Sequence, residues 1–193
     1  MNTQLKDSSA RVLVRNAKTL QRGFGLPEMA LVIVIIGLLA AIASMILPQI
    51  FANMRANKII DELVLAVPNI QTAYQNTSSY NGLTTAQVAQ NGWVGSGFAE
   101  INNGVPTGNL ITQWGNMTFA PAANGAQGQG TINNVPSREC IKISNSFSND
   151  QIVSATVNGT VVKARTNTID LTTVGAQCSS SQTNTITFNF GRA

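Results

Sequence analysis

Histidine is absent from this sequence, charged residues supply only 10% of it, and aromatic residues only 6%. The missing imidazole removes the commonest general base, and the carboxylates are scattered. Serine and threonine are abundant, but none has a base at a suggestive spacing. No catalytic, cofactor-binding or metal-ligating residue is therefore assigned, and an enzyme is not expected. The scarcity of charge leaves a polar complement of Asn, Gln, Ser, Thr and Gly. That is a neutral, hydrogen-bonding surface of the kind common in secreted and assembled proteins.

The net charge of +4 does not belong to the folded part. Lys6, Arg11, Arg15, Lys18 and Arg22 precede Phe24 with only Asp7 against them, and this segment alone carries the +4. From Phe24 onward, seven basic residues (Arg55, Lys58, Arg138, Lys142, Lys163, Arg165, Arg192) face seven acidic ones. A nucleic-acid surface needs Lys and Arg clustered on the folded part, and no such cluster is visible. The sequence holds two cysteines, Cys140 and Cys178. In a chain with an export segment they suggest a disulfide formed in an oxidising compartment; two unrelated buried thiols are the alternative.

One long run is present where charge is missing. Residues 29–47 carry no charge, and the uncharged stretch continues to residue 54. Nineteen helical residues span about 28 Å, close to one bilayer core. The basic flank before the run places the N-terminus in the cytoplasm and the C-terminal part outside it, where a disulfide forms. A cleaved secretory signal is the competitor, with a small-residue site at residues 40–43. The apolar run continues past that site, which argues against such cleavage.

Beyond the run the pattern turns amphipathic. Ile60, Leu63, Val64, Val67 and Tyr74 recur at helical spacings with polar residues between them. The spacing predicts a helix from Phe24 to about Ser79, stopped at Asn81-Gly82. Pro48 and Pro68 lie inside it and should each kink or locally melt it, so two or three separate helices are the alternative.

The remainder, residues 83–193, reads as a sheet domain. A short helix is expected at 85–90, and short strands at 110–114 and 117–120 around Gly115. A loop is expected over 122–130 by composition. Residues 136–139 could open a helix with Cys140, Ile143 and Phe147 on one face, or residues 140–144 could form a strand. Residues 152–157 and 160–163 flank Asn158-Gly159, a tight hairpin with a type I′ turn. Residues 185–190 alternate and form the last strand. The fold class is α+β: a long N-terminal helix packed on an antiparallel sheet. The expected organisation is a leader at 1–23, a membrane-spanning or filament-core helix at 24–54, an amphipathic helix at 55–82 and a globular domain at 83–193.

Glu28 requires an explanation, because an acid in a membrane helix costs on the order of 3 kcal/mol at the bilayer centre and less near the interface. Gly23-Phe24, then Glu28, then the long apolar run, resembles the cleavage and methylation motif of type IV pilins. The resemblance implies a prepilin peptidase that cuts between Gly23 and Phe24 and N-methylates Phe24. The 23-residue leader, the cysteine pair and the Asn/Gly-rich domain resemble the type IVb branch. Residues 109–118 resemble the PilS-type pilins of conjugative thin pili. The chain departs from the family pattern at Gly25, where threonine is usual, and at Pro27, where an aliphatic residue is usual. If the helix starts at Phe24, Pro27 lacks only an N–H that has no intrahelical acceptor anyway. In the uncut chain the same proline opposes helix through Gly23 and would keep the cut site extended. A cut after Gly25 is the lesser alternative.

The resemblance implies a structural subunit, expected to be the major pilin. Cutting creates an amine at Phe24, and in a filament it would pair with Glu28 of a neighbouring subunit. The implied partners are further copies of the chain, the prepilin peptidase, the inner-membrane assembly machinery, the membrane itself, and a host or recipient cell surface, but no nucleic acid and no cofactor. Surface attachment and conjugative cell contact are the implied roles. A minor pilin or secretion-system pseudopilin, and an uncut membrane-anchored periplasmic binding domain, are the alternatives.

Overall fold

The computed structural model describes residues 25–77, 79–165 and 168–191. They fall into two units divided between Ala43 and Ser44. In the first unit the chain is helical from Leu26, and none of its helical residues is buried.

Helix α1 spans Leu26–Ala73, 48 residues, and the chain stays helical through both Pro48 and Pro68. The expected melting at the prolines does not occur. Each proline removes one donor from the ladder, but the ladder on either side is long enough to carry the loss. The helix starts at Leu26 rather than Phe24, which lies outside the described residues. It also ends earlier than about Ser79. Tyr74 leaves the helix to stack on Tyr80, with ring centroids 5.2 Å apart, and its hydroxyl donates to Gln87 at 2.9 Å. Thr77 then closes the turn, its N–H and hydroxyl both donating to the Tyr74 carbonyl.

The buried face of α1 is Ala52, Ala56, Ile59, Leu63, Ala66, Val67 and Ile70. This differs from the expected stripe. Leu63 and Val67 are in it, but Ile60 is half-buried and Val64 is 49% exposed. Three of the seven buried positions are alanines. A reading weighted to large apolar residues therefore rotates the face.

Seven antiparallel strands form one sheet in the order β1-β2-β3-β4-β7-β5-β6. They are β1 Ala99–Asn102, β2 Val105–Ile111, β3 Asn116–Ala122, β4 Gln127–Pro136, β5 Ile152–Val157, β6 Thr160–Lys163 and β7 Thr183–Gly191. The last strand thus inserts between β4 and β5 rather than adding at an edge. Three short helices complete the domain: α2 Thr85–Gln90, α3 Ser137–Ser146 and α4 Leu171–Ser179. The expected helix at 85–90, the hairpin around Asn158-Gly159 and the last strand are present. At the hairpin both turn residues have positive φ, 52° and 82°, as a type I′ turn requires. The expected helix opens at Ser137, directly after β4, and the alternative strand at 140–144 is absent.

The expected loop over 122–130 is confined to residues 123–126, with Ala122 ending β3 and residues 127–130 opening β4. Gly128 and Gly130 sit on β4 opposite Phe190 and Phe188 of β7. The two phenylalanine rings occupy the space that a Cβ at either glycine would need. Composition marks these glycines as loop formers, whereas here they make room for aromatic rings. The Phe188 ring centroid lies 5.1 Å from that of Phe147 and 6.4 Å from that of Phe119. One hydrophobic core joins this cluster to the buried face of α1.

Candidate assembly surface

The start of α1 is organised by Glu28. Its carboxylate accepts the Gly25 N–H at 3.0 Å. The Gly25 carbonyl in turn accepts the N–H of Glu28 at 3.0 Å and of Met29 at 3.1 Å. This is the acid half of a capping box, in which an acid in the first turn reaches back to an unsatisfied donor; the glycine has no side chain to supply the other half. The positive end of the helix dipole favours the same placement. Pro27, within that first turn, gives up an N–H that the helix does not use. Gly23 and Phe24, the expected processing residues, lie outside the described residues.

Between Glu28 and Arg55 the helix carries no charge, and every residue from 26 to 51 is exposed in the single chain. Among the described residues α1 is the helix long and apolar enough to cross a membrane. An apolar surface of this extent marks a membrane or protein contact rather than a surface facing water. It continues past the membrane-length run, since Val64 and Leu65 are 49% and 62% exposed.

The sheet domain is tied to α1 and closed on itself by polar and covalent links. Arg55 of α1 reaches Glu139 of α3 at 2.8 Å, and the Glu139 side chain is only 2% exposed. A disulfide joins Cys140 of α3 to Cys178 of α4, with Cα atoms 5.7 Å apart, so the expected pairing is present. Neither the ion pair nor α4 was legible in the sequence. Asp170 was the signal for α4: it caps the helix by accepting the N–H groups of Thr172 at 3.0 Å and Thr173 at 3.1 Å. The Thr173 hydroxyl and these two amides hold the Asp170 carboxyl below the usual range.

Three further charged groups are engaged by contacts within the fold. Burial pushes the Glu62 carboxyl up, against the pull of Lys58, and Glu62 accepts the Gly95 N–H. Hydrogen bonds from Thr107 and Asn109 hold Glu100 down. Burial lowers the Lys163 amine against the nearby Asp150, and the ammonium donates to the carbonyls of Phe147 at 2.8 Å and Asn149 at 2.6 Å. A cavity of about 240 Å³ lies beside Arg55, Lys58, Phe98 and Trp114. Among the described residues no group of His, Cys, Asp or Glu could hold a metal ion.

Residues 53–190 match the family model described as PilS N terminal. Residues 18–44 match the prokaryotic N-terminal methylation motif. No curated protein matches the chain. Among solved structures, a type IVb pilin from Salmonella typhi is similar at 19% identity with a TM-score of 0.50, covering 68% of this chain and 99% of that one. TcpA, a type IV pilin from Vibrio cholerae El Tor biotype, is 15% identical with a TM-score of 0.47, covering 70% and 98%. The solution structure of the Salmonella typhi type IVb pilin PilS is 18% identical with a TM-score of 0.43, covering 72% and 95%. The first of these supports the fold alone, and the PilS match covers well over half of the chain. The chain belongs to the PilS family of pilins.

Proposed function

We propose that this chain is the major pilin of a type IVb pilus used for surface attachment or conjugative cell contact. Family membership makes it a structural subunit of a pilus and not an enzyme. It also implies self-polymerisation and processing by a prepilin peptidase. The observation that carries the reading is the exposed apolar run over residues 29–51, preceded by Glu28. A membrane covers such a face before assembly, and the same face of other subunits covers it afterwards.

In this reading residues 1–23 face the cytoplasm and the sheet domain faces the periplasm. The peptidase cuts between Gly23 and Phe24 and methylates the Phe24 amine, which stays positive. In the filament that amine meets the Glu28 carboxylate of a neighbour. Each charge alone is strongly disfavoured in an apolar core, and pairing relieves both. The contact sets the axial register of the incoming subunit.

Mass spectrometry of the chain from its native host tests the proposal. A terminus at N-methyl-Phe24, in sheared filaments composed mainly of this chain, is the expected result. An intact Met1 terminus, or one after Ala43, overturns it in favour of an uncut anchor or a cleaved signal. Correct processing with only trace amounts in the filaments identifies a minor pilin or pseudopilin instead. Loss of recipient-cell contact or attachment on deletion of the chain tests the proposed role.

A further inference from the structure

The cations of the folded part are unevenly placed. Four of the seven that follow Phe24 are Arg55, Lys58, Arg138 and Lys142; Arg138 and Lys142 border the stretch of α1 where the uncharged run ends, and Arg55 follows it directly. A cleft of about 380 Å³ separates residues 49–53 of α1 from α3. Arg138, Ile141 and Lys142 line it on the α3 side, with Gln49, Ala52 and Asn53 on the α1 side. The Lys142 ammonium donates to the Asn53 side-chain carbonyl at 3.2 Å, a neutral acceptor that leaves the positive charge uncancelled. Glu139 lies between the two cations in sequence, but it is buried and spent on Arg55. Among the described residues neither Arg138 nor Lys142 has a carboxylate within ion-pair distance.

The position of the cleft limits its occupant. Gln49, Ala52 and Asn53 belong to the uncharged stretch that ends at Met54, so chain connectivity alone places the cleft at the water-facing border of the membrane run. Met45, Ile46 and Ile50, on the same helix just before it, are exposed and apolar. A ligand with a negative head and long apolar tails satisfies both parts. Its phosphate would meet Arg138 and Lys142, its glycerol oxygens the amides of Gln49 and Asn53, and its acyl chains would lie along Met45 and Ile46. Juxtamembrane cations attract anionic lipid in this way.

We propose that the cleft between α1 and α3 is a headgroup site for an anionic phospholipid, occupied while the subunit resides in the membrane. The inference rests on the membrane-resident stage of the pilin reading. The bound lipid orients the sheet domain on the bilayer surface, and extraction into a filament must release it.

The test uses the full-length chain in bilayer nanodiscs of mixed phosphatidylcholine and phosphatidylglycerol, with retained lipid counted by native mass spectrometry. Each cation near an anionic surface contributes about fivefold to partition, so two predict phosphatidylglycerol enriched about 25-fold. R138Q/K142Q is expected to abolish the preference, and R138Q alone to weaken it about fivefold. R165Q removes the same charge elsewhere and should keep the preference. Arg138 is exposed, so R138Q keeps the test decisive if the double variant fails to fold. Equal retention of the two lipids by the wild type, or an unchanged preference in R138Q, overturns the proposal. So does displacement of the lipid by inorganic phosphate alone, which would make the site one for a free anion. A chain with N-methyl-Phe24 and no lipid preference defeats this inference and leaves the pilin reading standing. A lipid preference in a chain that is never processed does the reverse.

Discussion

The guanidinium of Arg55 on α1 lies 2.8 Å from the carboxylate of Glu139 on α3, and the two side chains differ sharply in exposure, at 41% and 2%. That asymmetry predicts unequal mutants. Arg55→Met strands a buried carboxylate and should cost about 3 kcal/mol. Glu139→Gln leaves a guanidinium that already reaches water, so the loss should be smaller. Urea unfolding of the detergent-solubilised chain measures both, and equal midpoints for Arg55→Met and wild type would refute the assignment.

Gly130 is held without a side chain by Phe188, whose ring fills the place of its Cβ. Gly130→Ala must push a ring that also packs on Phe119 and Phe147. Overpacking of this kind costs about 1–3 kcal/mol. Gly159, with a positive φ but nothing near its absent Cβ, is limited by backbone conformation instead. Near-ultraviolet circular dichroism separates the two cases: Gly130→Ala should disturb the aromatic signal, and Gly159→Ala should leave it intact while lowering stability.

These glycines also mark where the sequence stopped being legible. Local signals were reliable wherever the backbone decided the outcome. Asn158-Gly159 fixes a turn whatever surrounds it, and the charge-free run from 29 to 54 fixes a membrane-length helix. Gly128 and Gly130 depend on partners sixty residues away across a sheet whose last strand inserts at its middle, and no local pattern carries that information. The same holds for the face of α1. Alanines at 52, 56 and 66 are buried because the sheet domain approaches there, which a count of large apolar residues cannot reveal. At the assembly surface, the order glycine, phenylalanine, glutamate and apolar run was readable because processing enzymes and membranes read linear sequence. The cleft beside Arg138 was not, since it is made by bringing α3 against α1.

Asp170 gives a pH signature. Its hydrogen bonds to Thr173 and Thr172 hold the folded-state pKa below the ordinary value. The unfolded chain therefore takes up the proton first as pH falls. The stabilisation is fully present above the usual aspartate range and is lost as pH drops through the lowered folded-state value. Asp170→Ala should melt below the wild type at neutral pH, and the gap should close in acid. A gap independent of pH would mean that the cap acts through packing alone.

The Cys140–Cys178 bridge joins residues separated by 38 positions and links α3 to α4. Loop-closure entropy predicts a loss of about 4 kcal/mol for Cys140→Ala/Cys178→Ala. Because α4 holds few apolar contacts of its own, its amides should lose hydrogen-exchange protection before those of β4 and β7. Uniform loss across the sheet would show that the bridge supports the whole domain rather than its helical corner.

Glu28 has two candidate roles that one pair of variants separates. In the single chain its carboxylate caps α1 by accepting the Gly25 N–H. In the proposed filament the same group neutralises the amine of a neighbour. Glu28→Ala removes both roles; the chain should still insert and be cut, yet fail to assemble. Glu28→Gln keeps an oxygen that accepts the Gly25 N–H but removes the charge. If pairing with the Phe24 amine drives assembly, Glu28→Gln should fail as completely as Glu28→Ala, because a buried ammonium remains uncompensated. Normal filaments from Glu28→Gln but none from Glu28→Ala would assign the residue to helix capping. Pro27→Ile adds the processing arm: if the proline keeps the cut site extended, cleavage of this variant should slow while assembly of whatever is cut proceeds normally. Pulse-chase of the uncut and cut forms, together with counts of sheared filaments, reads insertion, cleavage and assembly separately in each variant.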